Sequence, residues 1–188
     1  MENHYERILQ RSNKVTHRVC TEISKLDPEI LNWKEAEKKW SVLEVVDHLN
    51  KVYDIYLPNF EDVISNAPSL NGDVQKTRRT VLGRLSIYTN KPHGKKVKYK
   101  LNTFDFFQPK SEIDPEEILE EFRQKKDRFN ELIREARNKN LNNTKMPTAI
   151  KRLKFFVGEC IDFVMSHEER HMIQIEEVLS KTDTVLEK

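Results

Sequence analysis

Apolar residues recur at intervals of three and four along four separate stretches of the chain, the spacing of one face of an α-helix. In the first, Tyr5, Ile8, Ser12, Val15, Val19, Ile23 and Leu26 share a face, and Asp27-Pro28 closes it. A connector, Glu29 to Lys39, leads to Trp40-Ser41-Val42-Leu43-Glu44. There Ser41 can cap a helix while Glu44 reaches back, a capping box, and Trp40 can staple onto Val45. His48 shares a face with Val45, Val52 and Ile55, so it too should face inward. Pro58 should kink or end this second helix, with Phe60, Val63 and Ile64 available to continue it to Asn66-Ala67-Pro68. The third stretch opens on Asp114-Pro115-Glu116-Glu117, with cap, proline and first-turn acids in the favoured order. Its seam is Ile118, Phe122, Phe129, Leu132, Ile133 and Ala136, fading at Asn138 to Asn143. The fourth runs from Leu153 to Leu179 along Leu153, Val157, Cys160, Val164, His167, His171, Gln174 and Val178.

This pattern predicts an all-α fold, one domain over residues 1–188, with an excursion between the second and third long helices. Within the excursion, Thr77 to Tyr88 reads as a shorter helix and Lys91 to Lys100 as a basic loop with a solvated His93. Leu101 to Pro109 has room for two short strands. Its phenylalanines, Phe104, Phe106 and Phe107, are expected to plug an open end, form a dimer face or wall a substrate cavity.

Three polar residues, His167, His171 and Gln174, occupy the buried seam of the last helix. A buried imidazole needs a partner. Two of them one turn apart, about 6 Å along the axis, suggest a shared one, most simply a divalent metal. The segment His167-Glu168-Glu169-Arg170-His171 fits H-E-x-x-H, in which the histidines bind zinc and the glutamate is a general base. The downstream third ligand of zinc proteases is missing. Only 17 residues follow His171, position 177 is Glu177, and 174 is not glycine. His48, 119 residues before His167, is the other histidine on an inward face. Three neutral imidazoles would leave positions open for water or substrate, as in a catalytic site.

Glu168 has two readings, a general base and an ordinary surface glutamate. Gln174 could orient a ligand from behind or be a buried amide bonded to a neighbouring helix. Glu44, one turn before His48, could orient it, although capping already accounts for it. Cys160 lies two turns before His167, about 10 Å along the axis, too far to share its metal. His4 and His17 read as solvated surface histidines.

Composition narrows the picture further. The chain has 188 residues, 34% of them charged, and four glycines, which suits long helices. A net charge of +2 gives no global drive toward nucleic acid or membrane. The basic run from Lys76 to Lys100 reads as a solvated surface, or as an anion site near a metal mouth. It offers only Tyr88 and Tyr99 for stacking, so a nucleic-acid partner is not expected. Cys20 and Cys160 read as core residues in a reducing compartment. With no signal-like N-terminus and no apolar run near the roughly 18 residues of a membrane span, a soluble cytoplasmic protein is expected.

Two segments, Trp40-Ser41-Val42-Leu43-Glu44-Val45-Val46-Asp47-His48-Leu49 and His167-Glu168-Glu169-Arg170-His171-Met172-Ile173-Gln174-Ile175, make the chain resemble the DinB-like superfamily, which includes the YfiT-like metal-dependent hydrolases. The order and spacing of the helices agree over nearly the whole chain. The resemblance implies a four-helix bundle, a metal (zinc or nickel) on His48, His167 and His171, and a homodimer. It implies a metal-dependent enzyme acting on a small molecule. Hydrolysis is one reaction. Transfer of a low-molecular-weight thiol (bacillithiol, mycothiol or glutathione) on the same site is the other. In either, the metal would act as a Lewis acid and lower the pKa of a bound water or thiol. A non-catalytic metal-binding or interaction bundle is the reading from a different class.

Overall fold

The seam Tyr5, Ile8, Ser12, Val15, Val19, Ile23 is buried along its whole length, on a helical run that changes winding as it goes. In the computed structural model, which describes residues 4–71, 77–92, 94, 104–110 and 113–186, helix α1 (His4–His17) passes into a π-helical turn (Arg18–Glu22) and a 3-10 turn (Ile23–Lys25). Two successive steps of four would drift around an ordinary α-helix. The wider turn keeps Val15, Val19 and Ile23 over one face. Asp27 then ends this run and begins another. Its side chain accepts from the Glu29 amide at 2.9 Å, with Pro28 at the first position of α2 (Pro28–Asn32). The expected connector therefore starts with a helical turn, anchored by buried Leu31.

Helix α3 (Val42–Ser65) begins with the capping box in place. Ser41 Oγ accepts from the Glu44 amide at 3.2 Å, and Glu44 Oε2 accepts from the Ser41 amide at 2.8 Å. The helix does not end at Pro58 but continues to Ser65, the alternative that Phe60, Val63 and Ile64 left open. Buried Tyr56, Leu57, Phe60 and Ile64 hold both sides of the proline in the core, and Asn59 Nδ2 donates to the Ile55 carbonyl at 2.7 Å. Packing thus outweighs the one backbone bond that proline removes.

Helix α4 (Val81–Asn90) starts four residues later than expected, because Thr80 is its cap, accepting from the Gly83 amide at 2.9 Å. Residues 104–109 contain no strand. Asp105–Phe107 form a 3-10 turn that buries Phe107 and leaves Phe104 and Phe106 exposed. The expectations for His93, for Lys76, Lys95, Lys96, Lys98 and Lys100, and for residues 101–103 lie outside the described residues. Helix α5 (Pro115–Ala136) is capped by Asp114, and all six expected seam residues are buried. Lys126 is buried with them.

The two strands lie elsewhere in the chain. β1 (Lys145–Pro147) and β2 (Lys154–Phe156) pair antiparallel, with Met146 opposite Phe155, both buried. The expected start of the last helix at Leu153 is corrected accordingly: α6 is Val157–Leu186. The Val157 amide is taken by the Thr144 carbonyl at 3.1 Å and the Phe156 amide by Glu159 Oε2 at 3.0 Å. Both are pairings a helix beginning at 153 would forbid.

The fold of the described residues is mostly helical with this one small sheet. Helix α3 packs on α5 and α6, α1 packs on the same two, and α4 lies against α6. One apolar cluster runs through them, including Ile8, Val46, Phe60, Phe122, Phe129 and Val164. Both cysteines are free thiols. Burial raises Cys160 to about 12 and Cys20 to about 11. His17 is exposed beside Glu22, but His4 is half-buried with Nε2 3.5 Å from Asp162, not solvated as expected. No described helix is long and apolar enough to cross a membrane.

Close approach fixes α4 against α6. Buried Glu159 accepts from the Thr80 amide at the mouth of α4. A Cβ on Gly83 would collide with that same carboxylate. Gly83→Ala should therefore lower stability by about 1–3 kcal/mol, opposite in sign to the gain of roughly 1 kcal/mol that helix propensity alone would give. The urea unfolding midpoint decides the sign.

Candidate metal centre

His48, on α3, and His167 and His171, on α6, converge. One ring nitrogen of each lies within 4.8 Å of the others, and His48 Nε2 is 3.0 Å from His167 Nε2. Ring centroids are 4.5 to 5.2 Å apart. Among the described residues this trio is the one group of histidine, cysteine and acidic side chains so arranged that it could hold a metal ion.

What the opposite nitrogen of each ring does decides the tautomer. His48 Nδ1 lies 2.9 Å from the Phe107 carbonyl, which can only accept. Asn90 Oδ1 is 3.0 Å from His167 Nδ1, while Asn90 Nδ2 donates to the Ser86 carbonyl at 2.9 Å, so the amide presents its oxygen to the ring. Gln174 Oε1 faces His171 Nδ1 at 3.0 Å. All three Nδ1 atoms therefore carry hydrogen, and three Nε2 lone pairs point into one small space. A tetrahedral zinc with bonds of about 2.1 Å separates its ligand nitrogens by about 3.4 Å; the His48–His167 pair is at 3.0 Å, and all three nitrogens lie within 4.8 Å of one another. Lone pairs this close repel unless a cation lies among them.

Burial is the leading cause holding each ring below the ordinary histidine value of 6.5. His48 is lowered, and His167 and His171 are lowered well below it. The Phe107 bond partly opposes this at His48; the neighbouring histidines and Arg170 add to it at His167 and His171. Neutral imidazole is the form that binds metal.

A cavity of about 390 Å³ opens at the trio. Trp40, Tyr56, Phe107, Phe155 and Phe163 form aromatic walls; Ser86, Thr89, Asn90, Arg170 and Gln174 are polar points in the lining. The Trp40 ring, expected to staple onto Val45, lies 5.1 Å from His48 and 6.3 Å from His171. No aspartate or glutamate among the described residues lines the space.

The other expected site residues fall as follows. Gln174 sits behind His171. Glu44 does not orient His48; its carboxylate takes the Ser41 amide and Lys34 Nζ, the latter at 2.6 Å. Glu168 fits neither of its two readings. It is 1% exposed, outside the cavity lining, and turned into the core. There it accepts from Tyr53 Oη and pairs with Lys126 Nζ at 2.8 Å. Lys126 also donates to Ser12 Oγ at 2.6 Å, and Ser12 Oγ donates to Asn130 Oδ1 at 2.5 Å. Three residues that position the site carry no signal in sequence reasoning. Phe107 acts through its backbone, Asn90 looks like any late polar residue of a helix, and Lys126 interrupts an apolar seam.

A helical fold with three convergent, tautomer-fixed histidines defines a class of helical proteins able to hold a metal ion. This chain belongs to the DinB superfamily, whose family pattern matches residues 9–175. No curated protein and no solved structure matches it significantly.

Two outcomes are expected here. Glu168→Gln strands the Lys126 ammonium in the core and should cost about 3–5 kcal/mol, while Glu168→Gln with Lys126→Met should recover much of the loss; chemical denaturation measures both. For pH, the unfolded chain protonates its histidines at 6.5, before the folded one can. The stability contributed by the neutral rings is complete above that value and lost as pH falls below it. The melting temperature of metal-free protein should drop between about pH 7 and about pH 5. A variant with all three histidines replaced by alanine should show a flatter profile.

Proposed function

We propose that this protein is a divalent-metal-dependent enzyme acting on small molecules in the 390 Å³ cavity, on a scaffold of the four-helix-bundle type with α4 as its excursion. The observation that carries this reading is the convergence of three Nε2 lone pairs, each fixed by an oxygen on the far side of its ring. Zinc or nickel suits neutral imidazoles, and such an ion would act as a Lewis acid, lowering the pKa of a water or thiol bound at it. The chain's own part is to hold the rings, keep the space dry with aromatic walls, and leave it open to a ligand. Three protein ligands, without a fourth among the described residues, favour an open site over a closed structural one.

Hydrolysis and thiol transfer both suit such a site. One observation favours transfer. The described lining has no carboxylate to take a proton from water, and Glu168 is committed to Lys126 and Tyr53. A low-molecular-weight thiol brings its own nucleophile. The family resemblance adds a homodimer to this reading.

Metal analysis of the purified protein tests it. About one equivalent of zinc or nickel per chain is expected, with at least tenfold weaker binding in His48→Ala and in His167→Ala. Uptake no greater in wild type than in a His167→Ala, His171→Ala protein overturns the proposal. Metal-loaded protein is then assayed with an aryl halide and each thiol. Conjugation that needs both metal and thiol supports transfer; hydrolysis of an ester or amide probe without thiol supports a hydrolase.

A further inference from the structure

Most polar side chains in the described lining of the cavity are already paired within the protein. Thr89 Oγ1 donates to the Leu85 carbonyl at 3.0 Å, and Thr148 Oγ1 to the Leu153 carbonyl at 3.1 Å. Asn90 and Gln174 are taken up by His167 and His171. Tyr56 Oη is hydrogen-bonded to the backbone of Ala149, and Arg170 Nη1 donates to the Thr89 carbonyl at 3.3 Å. Between these groups the lining is apolar, with Val52, Leu153, Phe155 and Phe163 in it. A polar group entering such a space gives up water without full replacement. An apolar group gains in proportion to the area it buries.

The same character continues outside the cavity. Exposed apolar side chains scattered singly are ordinary on a protein surface, but a concentration of them marks a contact. Among the described residues, the large exposed ones all lie on α4, at Phe104 and Phe106, and at the tip of the β1–β2 hairpin. Each of these elements also lines the cavity. Phe104 and Ile150 are more than half exposed and yet part of the lining, so the cavity meets solvent beside them. The hairpin tip holds Ile150 there from within. The Ile150 amide donates to Thr148 Oγ1 at 3.2 Å, and the Leu153 amide to the Ile150 carbonyl at 3.0 Å. On α4, exposed Leu82 and Leu85 precede the lining residues Ser86 and Thr89 by one turn each, and so extend the same side of the helix outward. We propose that the substrate is an elongated apolar molecule. Its reactive end meets the candidate ion, as the metal-site reading on which this rests requires, and its apolar tail leaves past Phe104 and Ile150 toward Leu82 and Leu85.

The test uses the full-length protein loaded with cobalt(II), with loading checked by ligand-field absorption. Calorimetry follows straight-chain hydroxamates from acetohydroxamate to octanohydroxamate, which grip a metal by one end. Each added methylene should tighten binding about threefold, somewhat less than full burial would give. A Phe104→Ser, Ile150→Ser protein should lose most of the gain between hexanohydroxamate and octanohydroxamate, bringing it to roughly twofold or less, with the cobalt spectrum of the ligand-free protein unchanged. Both side chains are largely exposed, so the substitutions spare the core. Affinities that do not rise with chain length overturn the inference, and so does a rise that the double variant keeps in full. A flat series, in a protein whose dimer comes apart on Leu82→Ser with Leu85→Ser, also overturns it and assigns the apolar rim to contact between two copies. No cobalt uptake by wild type overturns the metal-site reading. The tail path is then tested on metal-free protein with 1-butanol, 1-hexanol and 1-octanol, where the same rise supports it and a flat series overturns it. Uptake with a flat hydroxamate series overturns this inference alone.

Discussion

An ammonium and a carboxylate, both without solvent, sit at the centre of this protein. Lys126 is 0% and Glu168 1% exposed. Removing two such charges from water is tolerable only when every remaining donor and acceptor finds a partner. Here the partners come from all four long helices: Ser12 on α1, Tyr53 on α3, Lys126 and Asn130 on α5, Glu168 on α6. Apolar seams tolerate small rotations and slips, since one leucine replaces another against the same neighbours. A paired charge does not. If α6 slipped by one residue, either the ammonium would lose its counter-ion or Glu169 would have to leave Arg11 to replace it. Glu168 adjoins His167, so the same lock that sets the register of α6 also sets which way the histidines look.

The site is built on that register from outside as well. The oxygens that fix the ring tautomers come from three places: the Phe107 backbone, Asn90 at the end of α4, and Gln174 on α6 itself. Two of the three belong to the excursion between α3 and α5. The excursion also supplies Ser86, Thr89 and Phe104 to the cavity. It is thus part of the site's construction, held down where Glu159 meets the Thr80 amide.

Much of this was readable in advance, and the failures are instructive. Side chains that satisfy local backbone groups left clear marks, as at Ser41 with Glu44 and at Asp114. The histidine trio was legible because each member breaks an otherwise apolar face, and a buried imidazole needs a reason. At Pro58 the helix continues to Ser65, as the apolar residues beyond it suggested, because Leu57 and Phe60 lie in the core. The β1–β2 hairpin was hidden because Leu153, Phe155 and Phe156 suit a helical face as well as a strand. Glu168 fits neither of its readings because its explanation, Lys126, lies 42 residues away, where it interrupts the apolar seam between Phe122 and Phe129. A backbone carbonyl such as that of Phe107 leaves no mark in any alphabet of side chains.

The bond from Asn90 to His167 has one more consequence. It ties the seating of α4 to the state of a ring that faces the candidate ion, and such couplings work equally in both directions. An ion that favours the His167 tautomer with hydrogen on Nδ1 must tighten the grip of α4 on α6 by the same free energy that a well-seated α4 contributes to holding the ion. Occupancy of the centre and rigidity of the cavity wall are then one equilibrium seen from two ends.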